Sequence, residues 1–272
     1  MVTSKGGRKD YDAIAKAKIT TPAETKNKRP PRLLIYGRNK KGKTRFGMTA
    51  PNVLVVDAEH GTDQYEKQNP SVWHLDEWEE IDEVYKYLKG GRHPYKWVFL
   101  DTMTKIHNSS LNFVMRTEEE RDLTRQPGFV QQRDYGKAGE MIKSMVWNFH
   151  TLPIGVIYSA QERMERGSFV EDGDEEVEEP AAAIVPDLPK GARSTLNSIV
   201  GVIGRIYTVK TEIKVREDGH VVEKMGIQRR LWLEPHAAYD TGYRSDHVLP
   251  PYIANPTVPK LLNYLSTGRA KA

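Results

Sequence analysis

Apolar residues along this chain fall into short continuous runs that alternate with segments of helical period. Leu33-Leu34-Ile35-Tyr36 is such a run and ends at Gly37. A Gly/Lys-rich turn then leads into a predicted helix over 44–49, giving strand, loop and helix in sequence. The run Val53-Leu54-Val55-Val56-Asp57 follows Pro51-Asn52 and has the β-branched density of a strand covered on both faces. Over 77–89, Trp78, Ile81, Val84, Tyr85 and Leu88 recur at helical spacing and stop at Gly90-Gly91. A third strand is predicted at 97–101, helices at 104–120 and 136–150, and a fourth strand at 154–158. Strands alternating with helices predict a parallel sheet with right-handed crossovers.

The pattern changes after residue 160. The segment 162–195 carries Glu171, Asp172, Asp174, Glu175, Glu176, Glu178 and Glu179, then Ala/Pro-rich sequence, and is expected to be a mobile acidic loop or hairpin. Beyond it, segments 202–215 and 226–233 flank Asp218-Gly219, a hairpin-turn signal, so antiparallel strands should extend the sheet. Residues 1–30 are polar and basic and read as a flexible or partly helical arm. The expected division is an arm over 1–30, one α/β domain over 31–265 and a tail over 266–272.

Composition narrows the chemistry. With no cysteine among 272 residues, disulfides, thiolate zinc sites, iron–sulfur clusters and a cysteine nucleophile are all excluded. Eight histidines show no metal-ligand spacing. The polar stretch Met1 to Gly7 has no apolar core, and no run approaches the length of a membrane span, so neither a secretion signal nor a membrane partner is expected. A cytoplasmic protein is the expectation. The formal charge of +4 conceals an asymmetry, because residues 1–45 hold 14 basic and 3 acidic residues. That end suits a solvated tail or a phosphate-rich partner.

Gly37-Arg38-Asn39-Lys40-Lys41-Gly42-Lys43-Thr44, followed by Arg45, fits the phosphate-binding pattern GxxxxGK[ST]. Glycines let the backbone curl round a phosphate with its N–H groups inward, Lys43 reaches the β and γ oxygens, and the Thr44 hydroxyl meets magnesium. The start of the following helix adds positive field. ATP with Mg²⁺ is the implied ligand pair. Asp101, at the end of a neighbouring strand 58 residues after Lys43, is the candidate carboxylate for that metal, acting through water; the same position also suits a helix cap. Glu59, just past Asp57 at the end of the intervening strand, is the candidate base for the attacking water. Asp57 reads as structural and His60 as a loop residue. Gln161 ends the fourth strand, where an amide can sense the γ-phosphate or simply close the strand.

These four elements in this order resemble the RecA-type ATPase core. Asp57-Ala58-Glu59-His60 is similar to the segment that carries the catalytic glutamate there, and Gln161-Glu162-Arg163-Met164 to the glutamine that opens the second DNA-binding loop. The short RecA-core ATPases of bacteriophages, nucleotide-binding proteins linked to single-strand annealing, are a closer resemblance through Trp78-Glu79-Glu80 and Asp134-Tyr135-Gly136. The resemblance covers about residues 31–265. It implies an α/β RecA-like P-loop NTPase, with a mainly parallel central sheet flanked by helices and antiparallel C-terminal strands. It further implies DNA-stimulated ATP hydrolysis, single-stranded DNA as partner, homo-oligomeric rings or filaments, and a single-strand DNA-binding protein as a further candidate partner. Arg121, Arg125, Gln131, Gln132 and Arg133 fall where a first DNA loop is expected, and Arg163, Arg166, Lys190 and Arg193 flank the second. Phe129 and Tyr135 are candidates for base stacking or for core packing. Arg205 and Arg244 are candidates for a basic finger reaching a neighbouring subunit's phosphates. A helicase or packaging motor, and a nucleotide-switched DNA-binding protein with little turnover, use the same phosphate-site residues and remain rivals.

Overall fold

The computed structural model describes residues 11–21, 30–166, 182–217 and 220–269, and the acidic run 171–179 lies outside them. The chain divides into two units, Met1–Pro30 and Pro31–Ala272. In the first, Tyr11–Lys18 forms helix α1, with Asp12 in its first turn and Lys16 and Lys18 in its last, the order a helix macrodipole favours.

The second unit is built on a central sheet of nine strands. Strands β1 (Arg32–Tyr36), β2 (Val53–Asp57), β3 (Ser71–His74), β4 (Trp97–Asp101) and β5 (Gly155–Ala160) are parallel and lie in the order β3-β2-β4-β5-β1. Strands β6 (Glu162–Arg166) and β7 (Ala182–Pro186) form a separate antiparallel pair, so the excursion over 162–195 is a hairpin at its base. Strand β8 (Val202–Glu217) adds in parallel to β1, and β9 (His220–Trp232) returns antiparallel along it. The short β10 (Gly242–Tyr243) pairs with β8, and β11 (Tyr252–Ala254) closes the edge against β9.

Helices cover both faces: α2 (Lys43–Gly47), α3 (Glu80–Lys89), α4 (Met103–Arg121), α5 (Gln132–His150), α6 (Lys190–Ile199) and α7 (Val258–Thr267). Strand alternation splits the core accordingly. Leu34, Tyr36, Val56, Leu100 and Tyr158 pack toward α3, α4, α5 and α6. Leu33, Ile35, Val55, Phe99 and Ile157 pack toward Phe46 of α2 and Val258 and Leu261 of α7. Each such fully buried side chain contributes roughly 1.5–3 kcal/mol of transfer free energy, and this explains why the central strands read as unbroken apolar runs.

Several elements differ from expectation for local reasons. Strand β3 is a four-residue edge strand with exposed ends, too short to announce itself. Helix α6 occupies sequence expected to be loop. Helix α7 starts at a Thr257 cap and ends at Gly268, whose φ of 68° is left-handed, so the expected tail boundary at 266 falls inside it. Helix α5 begins at Gln132 rather than 136 because the Asp134 carboxylate accepts from the Gln131 N–H at 2.7 Å, one half of a capping box.

Arg125, expected to touch DNA, is a correction. Its guanidinium is fully buried, bonds both carboxyl oxygens of Asp134 and donates to the Phe129 carbonyl, so it organises the α4–α5 connection from inside. Those bonds hold the Asp134 carboxyl below the usual range. Removing one partner strands the other charge without water. Arg125→Ala should therefore lower the thermal midpoint and open 122–131 to protease; a variant that melts and resists cleavage like the parent would contradict this role.

Candidate active site

The polar chemistry gathers at the carboxyl ends of the parallel strands, where loops from β1, β4, β2 and β5 meet. Gly37 leaves β1 so close to β8 that a Cβ there would lie 2.3 Å from the Ile206 carbonyl oxygen. Gly42 has φ 104°, and a Cβ would fall 2.9 Å from the Arg229 side chain. Only glycine satisfies both positions. Between them, Arg38, Asn39 and Lys40 are exposed, and Lys40 has φ 61°. The Arg38 and Lys41 side chains turn away from the loop centre, to Glu162 at 3.1 Å and to the Thr208 hydroxyl at 3.0 Å.

Lys43 is buried and donates to the carbonyls of Gly37 at 3.0 Å and Arg38 at 3.2 Å, so its ammonium lies over the loop. Burial lowers its pKa, opposed by the nearby Asp101, Glu59 and Glu162. The Thr44 hydroxyl donates to Asp101 Oδ2 at 2.5 Å, and Ser159 of β5 donates to Oδ1 at 2.5 Å. Asp101 is not on the strand next to β1, as expected; β5 lies between them, and the Thr44 side chain spans that gap. Burial pushes the Asp101 carboxyl up to about 6 despite the two hydroxyl bonds.

Asp57 is structural, as expected. Its two oxygens accept from the N–H groups of Glu59, Gly61 and Thr62 and from the Thr62 hydroxyl at 2.6 Å, folding the turn that presents Glu59. Glu59 Oε1 accepts from the Thr102 hydroxyl at 2.8 Å and from Gln161 Nε2 at 3.1 Å. His60 stays in the loop, 3.1 Å from Asp76 and stacked on His74. Gln161 also ties the β6–β7 hairpin to the sheet, since its N–H donates to Thr104 Oγ1 and its carbonyl accepts from the Asp187 N–H at 2.8 Å.

A cleft of about 590 Å³ joins Asn39, Lys43, Thr44, Glu59, Thr102 and Arg229. A buried lysine seated on carbonyls rather than on a carboxylate, next to a hydroxyl–carboxyl pair, fits a triphosphate with magnesium. Four participants were not singled out in the sequence: Thr102, Ser159, Glu162 and Arg229. Thr102 and Ser159 adjoin recognised strand ends and were within reach of that signal, whereas Glu162 and Arg229 depend on strand pairing over 124 and more residues.

The remaining candidates are dispersed. Arg193 and Arg163 both pair with Glu165, and Arg163 also lies 3.6 Å from Asp187. Arg193, nearly covered, is therefore a hairpin tie rather than a free DNA contact. Arg205 is likewise committed within its own chain, with Glu162 at 2.9 Å and the Tyr239 ring at 4.6 Å, and cannot serve as a finger for a neighbour while so held. Arg244 is exposed and donates to the Ser198 carbonyl at 3.0 Å, beside the start of β8. Arg133, Arg166 and Lys190 are exposed.

Residues 29–245 match the family described as AAA domain. The chain belongs to the AAA domain family. Membership of this AAA domain family makes it a P-loop ATPase that binds ATP, on an α/β fold with a mostly parallel central sheet, flanking helices and antiparallel strands. Among solved structures it is similar to the KaiC-like protein PH0186 of the hyperthermophilic archaeon Pyrococcus horikoshii OT3, with 10% identity over 83% of this chain and 89% of that one and a TM-score of 0.37. No curated protein matches the chain. Among the described residues no helix is long and apolar enough to cross a membrane.

Asp101 gives a pH test. Folding keeps a proton on this carboxyl that the unfolded chain releases at its ordinary 3.8, so stability of the nucleotide-free protein should fall as pH rises from there through about 6. Asp101→Asn should flatten that limb and raise the thermal midpoint near neutral pH, while removing the magnesium-dependent part of nucleotide binding. Thermal denaturation across pH, with and without magnesium and nucleotide, reads both effects; an unchanged limb in the variant would count against Asp101.

Proposed function

We propose that the chain is a magnesium-dependent ATPase coupled to single-stranded DNA, acting in recombination or strand annealing as the phage proteins it resembles. The observation that carries the catalytic half is that Lys43, Thr44 and Glu59 line one cleft, with Asp101 and Gln161 bonded directly behind Thr44 and Glu59.

Lys43 and the N–H groups of 37–44 hold the triphosphate. Thr44 and Asp101 hold the metal, Asp101 through water. Magnesium, when bound, would neutralise charge on the phosphate oxygens. Glu59 is the base. Both of its side-chain hydrogen bonds among the described residues go to Oε1, so Oε2 is the oxygen with capacity to take a proton from water. Gln161 bonds the same carboxylate and roots the β6–β7 hairpin, and it links the state of the cleft to that hairpin.

The DNA half is supported by the surface. Leu123, Phe129 and Tyr135 are exposed on and beside the α4–α5 connection, next to Arg133. Arg116, near the end of α4, lies 2.7 Å from Glu77, which follows β3, and this brings the end of α4 to the strand-end edge that carries the phosphate loop. Met164 and Arg166 project from β6. Exposed rings and aliphatic side chains beside exposed cations are a sequence-tolerant surface for single strands. Assembly into a ring or filament, with Arg244 as the remaining finger candidate, belongs to the same reading.

Glu59→Gln should cut turnover by roughly a hundredfold or more while ATP binding persists; undiminished turnover would remove Glu59 as the base. Replacing Arg133, Arg166 and Lys190 together by Ala should weaken binding of a labelled oligonucleotide and make its logarithmic salt dependence shallower by roughly two. Fluorescence anisotropy across salt, beside ATPase rates with and without the oligonucleotide, checks this, and an unchanged slope would sink the assigned DNA surface.

A further inference from the structure

Strands β8 and β9 pair continuously from Arg205↔Trp232 to Glu217↔His220, yet β8 meets β1 only over 202–205. Beyond 230–232 of β9, where β11 also pairs, the rest is a two-stranded ribbon, and its base lies against the phosphate loop. It touches that loop at Gly37 through Ile206, at Lys41 through Thr208, and at Gly42 through Arg229.

Arg229 is unusual among the arginines of this domain. Strand alternation places it on the side of Leu231, which is fully buried against the core containing Phe46 and Val258. Its neighbour Arg230 takes the opposite side, where it lies 4.2 Å over the Tyr252 ring and bonds Gln228. Arg38, Arg125, Arg163, Arg193 and Arg205 each rest on a carboxylate. Arg229 rests on none among the described residues; its Nε is buried without a hydrogen-bond partner, as are those of Arg32, Arg125 and Arg163, but those three donate through their other nitrogens to carbonyls or carboxylates. Withholding water from a guanidinium donor is costly unless an anion or acceptor meets it. The side chain lies across Gly42 and borders both the 590 Å³ cleft and an adjoining one of about 190 Å³, formed by Arg45, Thr49, Asn255 and Thr257 among others. Gly42, Arg45 and Arg229 are common to both clefts and mark the seam between them.

We infer that Arg229 is a phosphate ligand of the bound nucleotide, supplied by the ribbon of the same chain, and that the adjoining cleft receives the ribose and base. This rests on the nucleotide-site reading above. A planar guanidinium at the seam offers two parallel donors to phosphate oxygens, which a lysine cannot reproduce. The glycine at 42 is then required twice, by its backbone angle and by the arginine that crosses it.

Isothermal titration of Mg-ATP and of magnesium tripolyphosphate into the full chain tests this, with Arg229→Ala, Arg229→Gln and Arg229→Lys beside Lys43→Ala. Both neutral variants should lose roughly ten- to a hundredfold in affinity for ATP and for tripolyphosphate alike, and Arg229→Lys should recover only part. Arg229→Gln, which keeps most of the stem's packing, serves if the alanine variant fails to fold, as judged by circular dichroism and melting. A folded variant binding both ligands like the parent overturns the inference. Loss for ATP but not for tripolyphosphate also overturns it, by moving Arg229 to the base. Failure of the parent to bind either ligand, or parent-like binding by Lys43→Ala, would instead count against the nucleotide site itself.

Discussion

The carboxyl of Asp101 is the point on which the site depends. A parallel sheet covered by helices on both faces leaves only its strand ends for polar chemistry, and Asp101 stands buried at the middle of those ends. Its two oxygens are taken by Ser159 and Thr44, so one buried group joins β4, β5 and the start of α2. The neighbouring backbone is tied in as well, because the Asp101 carbonyl accepts from the Ala58 N–H at 2.8 Å and thereby sets the root of the turn that carries Glu59. Burial biases a carboxyl held this way toward its protonated form, and in the proposed function a nearby metal ion would offset that bias.

Charge around the phosphate loop is arranged by removal as much as by supply. The loop sequence is crowded with cations, which suggests a diffuse positive patch. In the fold, Arg38 is drawn to Glu162 together with Arg205, and Lys41 is held by Thr208. Glu162, 6% exposed, thus fixes the first residue of β6 between the loop and β8. What remains at the cleft is Lys40, Lys43, Arg45 and Arg229, none of them in a carboxylate ion pair among the described residues, beside Glu59 and the buried Asp101.

Legibility in the sequence followed range. The central strands and the phosphate loop were readable because each is specified within a few residues: Val53–Asp57 by β-branched density, Gly37 to Thr44 by spacing. Glu59 and Asp101 were readable because they directly follow such strands. The strand order was not, since nothing local to β5 says that it inserts between β1 and β4. Arg125 misled for a related reason. A cation in a Gly/Pro-containing stretch looks solvent-exposed until Asp134, nine residues on, folds over it. Arg205 and Glu162 are 43 residues apart and became a pair only through the hairpin and β8. Arg229 was invisible because its meaning lies in proximity to Gly42, which strand pairing alone creates.

Two antiparallel projections are therefore rooted beside one cleft, and they meet each other where Glu162 bonds Arg205. The β6–β7 hairpin is attached through Gln161, which bonds Glu59, and through Glu162, which bonds the loop's Arg38. The β8–β9 ribbon is attached through Ile206, Thr208 and Arg229. These contacts are single hydrogen bonds and close packing rather than broad interfaces, each worth on the order of 1 kcal/mol. Contacts of that size hold an arrangement at rest and are exchanged readily when phosphate oxygens compete for the same donors. Under the proposed function, a phosphate that recruits Lys43 from the Gly37 and Arg38 carbonyls would alter the loop to which both projections are tied, so that one binding event would bias two surfaces.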